Sequence, residues 1–273
     1  MRRRAARFTR ACVFASAISL AGMAASAAAA AVPQRVASLN LCTDELVLLI
    51  AAPEQILSVT HLARSRHEFA LWRTARRYRA NDGSVVSVAG LHPDLIVTMG
   101  GPGRDRERLA RRIGAKVITL PFPQSFNDLE SAIDQLANAL GREARGRQLL
   151  AALRGLRLSR PRTPVEGLFL SSGGLSLADG SLGAQWLSLV GVEQPRNLGA
   201  RIAAERLLTD PPPLVLRSDY RNQQAARGNF WPGFRLIDES REIRTVATDG
   251  RRWTCAGPTL IPEILRLRRE IAR

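Results

Sequence analysis

Residues 92–100 read HPDLIVTMG. After the His92-Pro93-Asp94 turn, the run from Leu95 to Met99 shows no polar alternation, as expected of a short parallel strand buried on both faces. Such a strand requires crossover connections, usually helices, on either side of it. Downstream, GGPG at 100–103 breaks the chain, a charged helix runs over about 104–113, Gly114 closes it, and KVITL at 116–120 is the next strand. Upstream, RVASLN at 35–40 is a strand leading into a helix that begins near Thr43. There TDE supplies a capping oxygen and first-turn acids before LVLLIAA. Pro53 ends that helix and ILSVT at 56–60 is a further strand, followed by a polar, partly helical stretch through Arg79 and a turn at Asn81-Asp82-Gly83. Strands alternating with helices of this length predict right-handed crossovers and a parallel sheet.

Beyond Ser125 the period changes. Phe126, Leu129, Ile133, Leu136 and Leu140 recur at helical spacing, and after Gly141 the series continues with Leu149, Leu150, Leu153, Leu156 and Leu158. The two series read as one long, slightly broken helical stretch starting near residue 125. RPRTPVE at 160–166 marks a boundary, after which the alternation resumes more loosely. Strands are expected at 166–171, 214–217 and 243–247, with helices at 183–190, 201–208 and 258–272, the last tolerating a proline near its start. The expected organisation is an N-terminal α/β lobe over 32–140, an inter-lobe helix over 141–160 and a C-terminal α/β lobe over 161–273.

The first 31 residues combine an arginine-rich start, an apolar run from about Ala11 to Ala24 and small residues offering A-x-A cleavage sites. That pattern predicts a secretory signal peptide, with an apolar core shorter than the roughly 20 residues that span a bilayer. Export to the periplasm follows, and Cys12 departs with the leader. About 240 residues remain, enough for two lobes of ordinary size. Five leader arginines account for part of the formal +16, leaving +11, almost all arginine because Lys116 is the only lysine. The arginines are scattered and aromatics sparse, so the charge reads as solvated helix faces and no nucleic-acid partner is expected.

In open parallel α/β sheets, ligands bind beyond the carboxyl ends of the strands. Those ends are Asn40 to Thr43, His61, Gly100 to Gly103, Pro121 to Ser125, Ser171 to Gly174, Asp219-Tyr220 and Trp253 to Cys255. Both cysteines of the mature chain, Cys42 and Cys255, fall in this set. Three roles stand open for them: inert or pocket-lining side chains, a disulfide permitted by the compartment, or thiolate ligands to a metal in the cargo. No histidine has zinc-motif spacing to either, so no built-in metal or other cofactor is expected. The chain contains no G-x-S-x-G elbow, no Walker loop and no G-x-G-x-x-G after a strand. A cysteine hydrolase built on Cys42 would need His61 or His67 as its base.

RVASLNLCTDELVLLIAAPEQILSVT at 35–60, VAGLHPDLIVTMG at 88–100 and GAKVITLPFPQSFNDLESAIDQLANALG at 114–141 together resemble the periplasmic binding proteins for cobalamin and ferric siderophores that serve ABC importers. RRWTCAGP near the end resembles a segment of one branch of that family. The resemblance implies two Rossmann-like lobes with parallel sheets, joined by a single long helix, around a shallow cleft that closes little. It implies a monomer that captures a metal chelate of the cobalamin, ferric-siderophore or haem type and delivers it to an inner-membrane permease with its ATPase. The cargo, not the protein, would contain the cobalt or iron. The alternatives are a cysteine-dependent exported enzyme and a non-transporting sensor of a metal complex on the same fold.

Ligand-contacting candidates are then Leu41, Cys42, Thr43, His61, Trp72, Gly101, Ser172, Tyr220, Trp231, Arg252, Trp253 and Cys255. The aromatics among them suit a large planar ligand, and Arg252 suits its carboxylates or phosphates. Trp186, inside an apolar helix, reads as core. In the family an acidic residue at the tip of each lobe docks on the permease. Glu205 matches the second position, but the first region, WRTARRYRAND at 72–82, is basic and Glu68 is its nearest acid.

Overall fold

The computed structural model describes residues 32–101, 103–196, 199–218 and 231–273. The expected leader, residues 1–31, lies outside the described residues. The first half of the mature chain forms strands β1 (Val36–Ser38), β2 (Ile56–Thr60), β3 (Arg79–Asn81), β4 (Leu95–Met99) and β5 (Lys116–Leu120). They lie in one parallel sheet of order β3-β2-β1-β4-β5. From β1 the chain steps outward to β2 and β3, then returns to place β4 on the other side of β1. The point of reversal between β1 and β4 is where an open α/β sheet leaves a crevice beyond its strand ends.

The sheet is wrapped by α1 (Leu41–Ile50), α2 (Trp72–Ala75), α3 (Val85–Ala89), α4 (Arg104–Arg112) and α5 (Phe126–Ala139). Asn40, in extended conformation, caps α1 by accepting the Cys42 N–H at 2.9 Å, so the helix begins two residues before the expected Thr43. The short strand β3 and helix α3 were not expected, since each offers too few residues to establish a period.

Helix α6 (Glu143–Leu158) follows α5 after a break at Leu140-Gly141-Arg142, where Gly141 takes φ +63°. The expected single helical stretch is thus two helices. Arg157 on α6 pairs with Glu130 on α5 at 2.6 Å, so the two run antiparallel. Folding back lets both apolar series bury: Ile133 and Leu136 share the core with Leu153 and Leu156. Helix α6, about 24 Å long at 1.5 Å per residue, is the element that leads to the second lobe.

That lobe contains β6 (Val165–Glu166), β7 (Leu168–Leu170), α7 (Leu182–Val190), β8 (Val192–Glu193), α8 (Arg206–Thr209), β9 (Leu214–Ser218), α9 (Pro232–Glu239), β10 (Arg244–Thr248), α10 (Gly250–Trp253) and α11 (Leu260–Ile271). A parallel sheet of order β10-β9-β7 is accompanied by the pair β6-β8. Of the helix expected over 201–208, only a turn from Arg206 is helical.

One hydrophobic core runs through both lobes, from Val36, Leu46 and Ile133 to Trp186, Leu214, Trp253 and Ile264. The opposite faces have cores of their own. Val85, Val88 and Ala110 cover the first sheet, and Leu207, Phe234 and Ile237 the second. Among the described residues no helix is long and apolar enough to cross a membrane.

Gly146 measures how tightly α5 and α6 pack. A Cβ there would lie 2.5 Å from the Cβ of Ala137, whereas one at Gly155 on the same helix meets nothing within 4 Å. Alanine gains up to about 1 kcal/mol of helix propensity at either site, but overpacking costs about 1–3 kcal/mol. Thermal unfolding should therefore show Gly146→Ala destabilised and Gly155→Ala stabilised.

Candidate functional site

Cys42, in the first turn of α1, and Cys255, just after α10, are joined in a disulfide with Cα atoms 5.2 Å apart. Of the three roles open to them, the bond selects one. It removes both thiolates as metal ligands and leaves Cys42 with no free sulfur to act as a nucleophile. Because the bond links residues separated by 213 positions across the two lobes, it restricts the unfolded chain strongly, a contribution of about 2–5 kcal/mol.

A polar seam surrounds it. Glu45, one turn along α1 and fully buried, accepts the backbone N–H of Thr259 at 2.8 Å, at the start of α11. Any side chain at Gly257 would collide with the Glu45 carboxylate, which accounts for the glycine in CAGP. Ala256 adopts φ +47°, the left-handed region that alanine rarely visits, and its carbonyl accepts the Trp186 indole N–H at 2.7 Å. On one flank of the seam Arg251 donates to the Arg66 carbonyl at 2.7 Å. On the other, Gln185 of α7 accepts the Phe126 N–H at 3.2 Å and donates to the Gln124 carbonyl at 3.3 Å. The Phe126 and Trp186 rings meet edge to face, centroids 5.0 Å apart. The lobes are therefore tied at the centre and on both flanks.

Burial dominates the electrostatics. Asp44 accepts the Thr60 N–H and hydroxyl, and desolvation pushes its carboxyl up to about 7. Desolvation likewise pushes Glu45 up to about 7, against the opposing pull of the Thr259 N–H and the Arg252 charge. Among the described residues no three His, Cys, Asp or Glu side chains cluster as they would around an ion.

Several candidates make internal contacts. Thr43 is fully buried, its hydroxyl donating to the Asn40 carbonyl at 2.9 Å and sharing a 2.8 Å hydrogen bond with Ser38. Trp253 is buried against Phe169, with its indole N–H on the Thr248 hydroxyl at 2.9 Å, so it belongs to the core as Trp186 does. Arg252 donates to the Thr259 carbonyl at 2.7 Å and serves the seam. Trp231 stacks edge to face on Phe234 and over Gly174, where a Cβ would lie 2.6 Å from its ring. Trp72 carries the guanidinium groups of Arg73 and Arg76 at 4.8 and 4.9 Å from its ring centre. Tyr220 lies outside the described residues.

What remains at the strand ends is partly polar and partly apolar. His61 is exposed after β2, with Nδ1 3.2 Å from the Asn81 carbonyl. Leu41 and Ser172 are half-buried and Gly101 is exposed. Three large apolar side chains that the sequence reading did not single out are also exposed at strand ends: Leu62 (42%) after β2, Phe122 (53%) after β5 and Leu175 (41%) after β7. The signal for the first two was position alone, directly beyond an expected strand. Strands β2 and β5 are three inter-strand spacings apart, about 14 Å, so Leu62 and Phe122 mark two sides of the first lobe's crevice.

Two parallel α/β lobes, tied together at their strand ends and presenting apolar loops there, are the architecture of a binding protein. The chain belongs to the periplasmic binding protein family, whose model matches residues 36–228. Solved structures share the fold over nearly their whole length. A periplasmic binding protein from Veillonella parvula superposes with TM-score 0.65 at 14% identity, covering 89% of this chain and 92% of that one. The heme-binding protein HutB of Vibrio cholerae gives 0.64 at 17%, covering 88% and 99%. The vitamin B12 binding protein BtuF of Vibrio cholerae gives 0.59 at 16%, covering 88% and 97%. A search of the curated proteins finds no match.

The raised Glu45 pKa has a sign that can be checked. A carboxyl near 4.5 when unfolded and about 7 when folded binds more protons in the folded state between those values. Its contribution therefore falls as pH rises through that window and is level above it. Melting temperatures should show Glu45→Gln gaining on the wild type between pH 5 and pH 8. A constant difference would place the titration elsewhere.

Proposed function

We propose that this chain is the exported substrate-binding protein of an ABC importer, carrying a metal chelate of the cobalamin, ferric-siderophore or haem type without chemically changing it. The observation that carries the reading is the pair of lobes tied at their strand ends, where Leu62, Phe122 and Leu175 are exposed together with His61. Apolar side chains exposed at strand ends suit contact with the faces and rim of a rigid disc-shaped ligand. The structural relatives include heme-binding and vitamin B12 binding proteins, whose ligands are both macrocyclic chelates, which supports the same class here.

Within this reading the residues divide their work. Leu62, Phe122 and Leu175 remove apolar ligand surface from water, contributing through buried area. His61 offers an imidazole nitrogen to a metal centre with an open axial position. Leu41, Gly101 and Ser172 complete the floor between the lobes. Tying the lobes in advance removes the ordering cost of closing them, which favours affinity through preorganisation. Delivery would use Glu205, exposed at the start of α8, and Glu68, half-buried between β2 and α2, as contacts to the permease.

Thermal unfolding of the oxidised mature protein with cyanocobalamin, aquocobalamin, haemin and a set of ferric siderophores tests the proposal. One chelate class should raise the melting temperature by several degrees through mass action. Phe122→Ala should weaken that binding for any chelate. His61→Ala should weaken it about tenfold only where the metal has an exchangeable axial position, as in haemin or aquocobalamin. No shift with any chelate would overturn the reading.

A further inference from the structure

The basic stretch around residues 72–82 has no part in the cleft chemistry, yet it shapes a recess of its own. Beside β3, the edge strand of the five-stranded sheet, a surface concavity of about 570 Å³ is lined by Arg64, Arg77, Tyr78, Arg79, Ser87 and Leu91. Three guanidinium groups, a phenol and a hydroxyl thus share one recess with a single large aliphatic wall. Of the nearby carboxylates, Asp82 accepts the Ser84 N–H at 2.8 Å, and Glu54 is close enough to act on the Tyr78 phenol. Among the described residues Arg64, Arg77 and Arg79 make no ion pair with a carboxylate. The Arg64 Nε is buried and has no hydrogen-bond acceptor.

Like charges gathered without a counter-charge repel one another, and a buried donor without an acceptor costs about 1–3 kcal/mol. An anion in the recess would relieve the repulsion. Guanidinium forks match tetrahedral oxyanions in geometry as well as charge, since two parallel N–H groups reach two oxygens. The recess is much larger than a bare phosphate, and Leu91 gives an apolar surface against which an organic substituent can lie.

We propose that the recess beside β3 is a second binding site, separate from the inter-lobe cleft, for a phosphate-bearing anion. The phosphate could belong to a soluble ester or to the headgroup of an anionic phospholipid at the membrane surface, and the two sources are separable.

The experiment compares the oxidised wild type with Arg77→Gln/Arg79→Gln and with the charge-matched control Arg147→Gln/Arg154→Gln, whose sites are exposed on α6. Calorimetric titration uses inorganic phosphate and glycerol phosphate at constant ionic strength. Flotation uses vesicles of phosphatidylcholine alone or mixed with phosphatidylglycerol. The expected result is binding by wild type and control that weakens about tenfold or more in the recess variant. If the effect appears in the titration, the site takes soluble phosphates; if only with phosphatidylglycerol vesicles, it takes a lipid headgroup. Absence of binding in both formats, or equal loss in the recess variant and the control, would overturn the proposal. Chelate binding in the cleft is read separately, so its failure and the failure of this site are distinguishable.

Discussion

A sulfur–sulfur bond between Cys42 and Cys255 holds the first turn of α1 against the turn that follows α10, and the arrangement of the rest of the molecule depends on that contact. Each lobe has a sheet whose strand ends must face something. With the lobes tied at this point, the loops after β1, β2, β4 and β5 look across to those after β7 and β10. The neighbouring residues are constrained in turn. Glu45 is placed at the start of α11, Gly257 must lack a side chain, Ala256 must take a left-handed backbone, and Trp186 must reach its carbonyl.

This makes the seam both covalent and polar. A fully buried carboxylate is costly to desolvate, and Glu45 is tolerated because it meets a helix-start N–H in the field of Arg252. The shared core beneath, reaching from Ile133 to Ile264, ties the lobes along their helical side. On the proposed reading, specificity falls to the few side chains exposed at the strand ends. The surplus arginine charge is carried elsewhere, including the recess beside β3, and needs a separate account.

Much of the architecture was legible because it rests on period and punctuation. The continuous apolar run Leu95–Met99 and the glycine that ends α4 each bear a local physical signature. The break between α5 and α6 was not legible in the same way. Both apolar series keep a helical period, and only Gly141 in its left-handed conformation, with Arg157 turned back to Glu130, reveals that the chain reverses. Strand-end position drew attention to Cys42, His61 and Cys255, but could not say which way a side chain points. Trp253 lies at a strand end yet turns inward, because Thr248 satisfies its indole N–H there. Phe122 and Leu62 turn outward, and nothing in their identity distinguishes them from core residues. The partnership of Cys42 with Cys255 needed three-dimensional proximity, which composition permits without specifying.

The most direct test of the tied-lobe account is native-state amide exchange at Thr259, whose N–H bridges the lobes to buried Glu45, measured in the oxidised protein and after reduction. The account predicts that in the oxidised protein this amide exchanges as slowly as those of the central strand β4, and that reduction moves it into a faster class while β4 stays protected. Exchange at the rate of an exposed loop in the oxidised protein would contradict it, because the lobes would then be opening at the seam despite the disulfide.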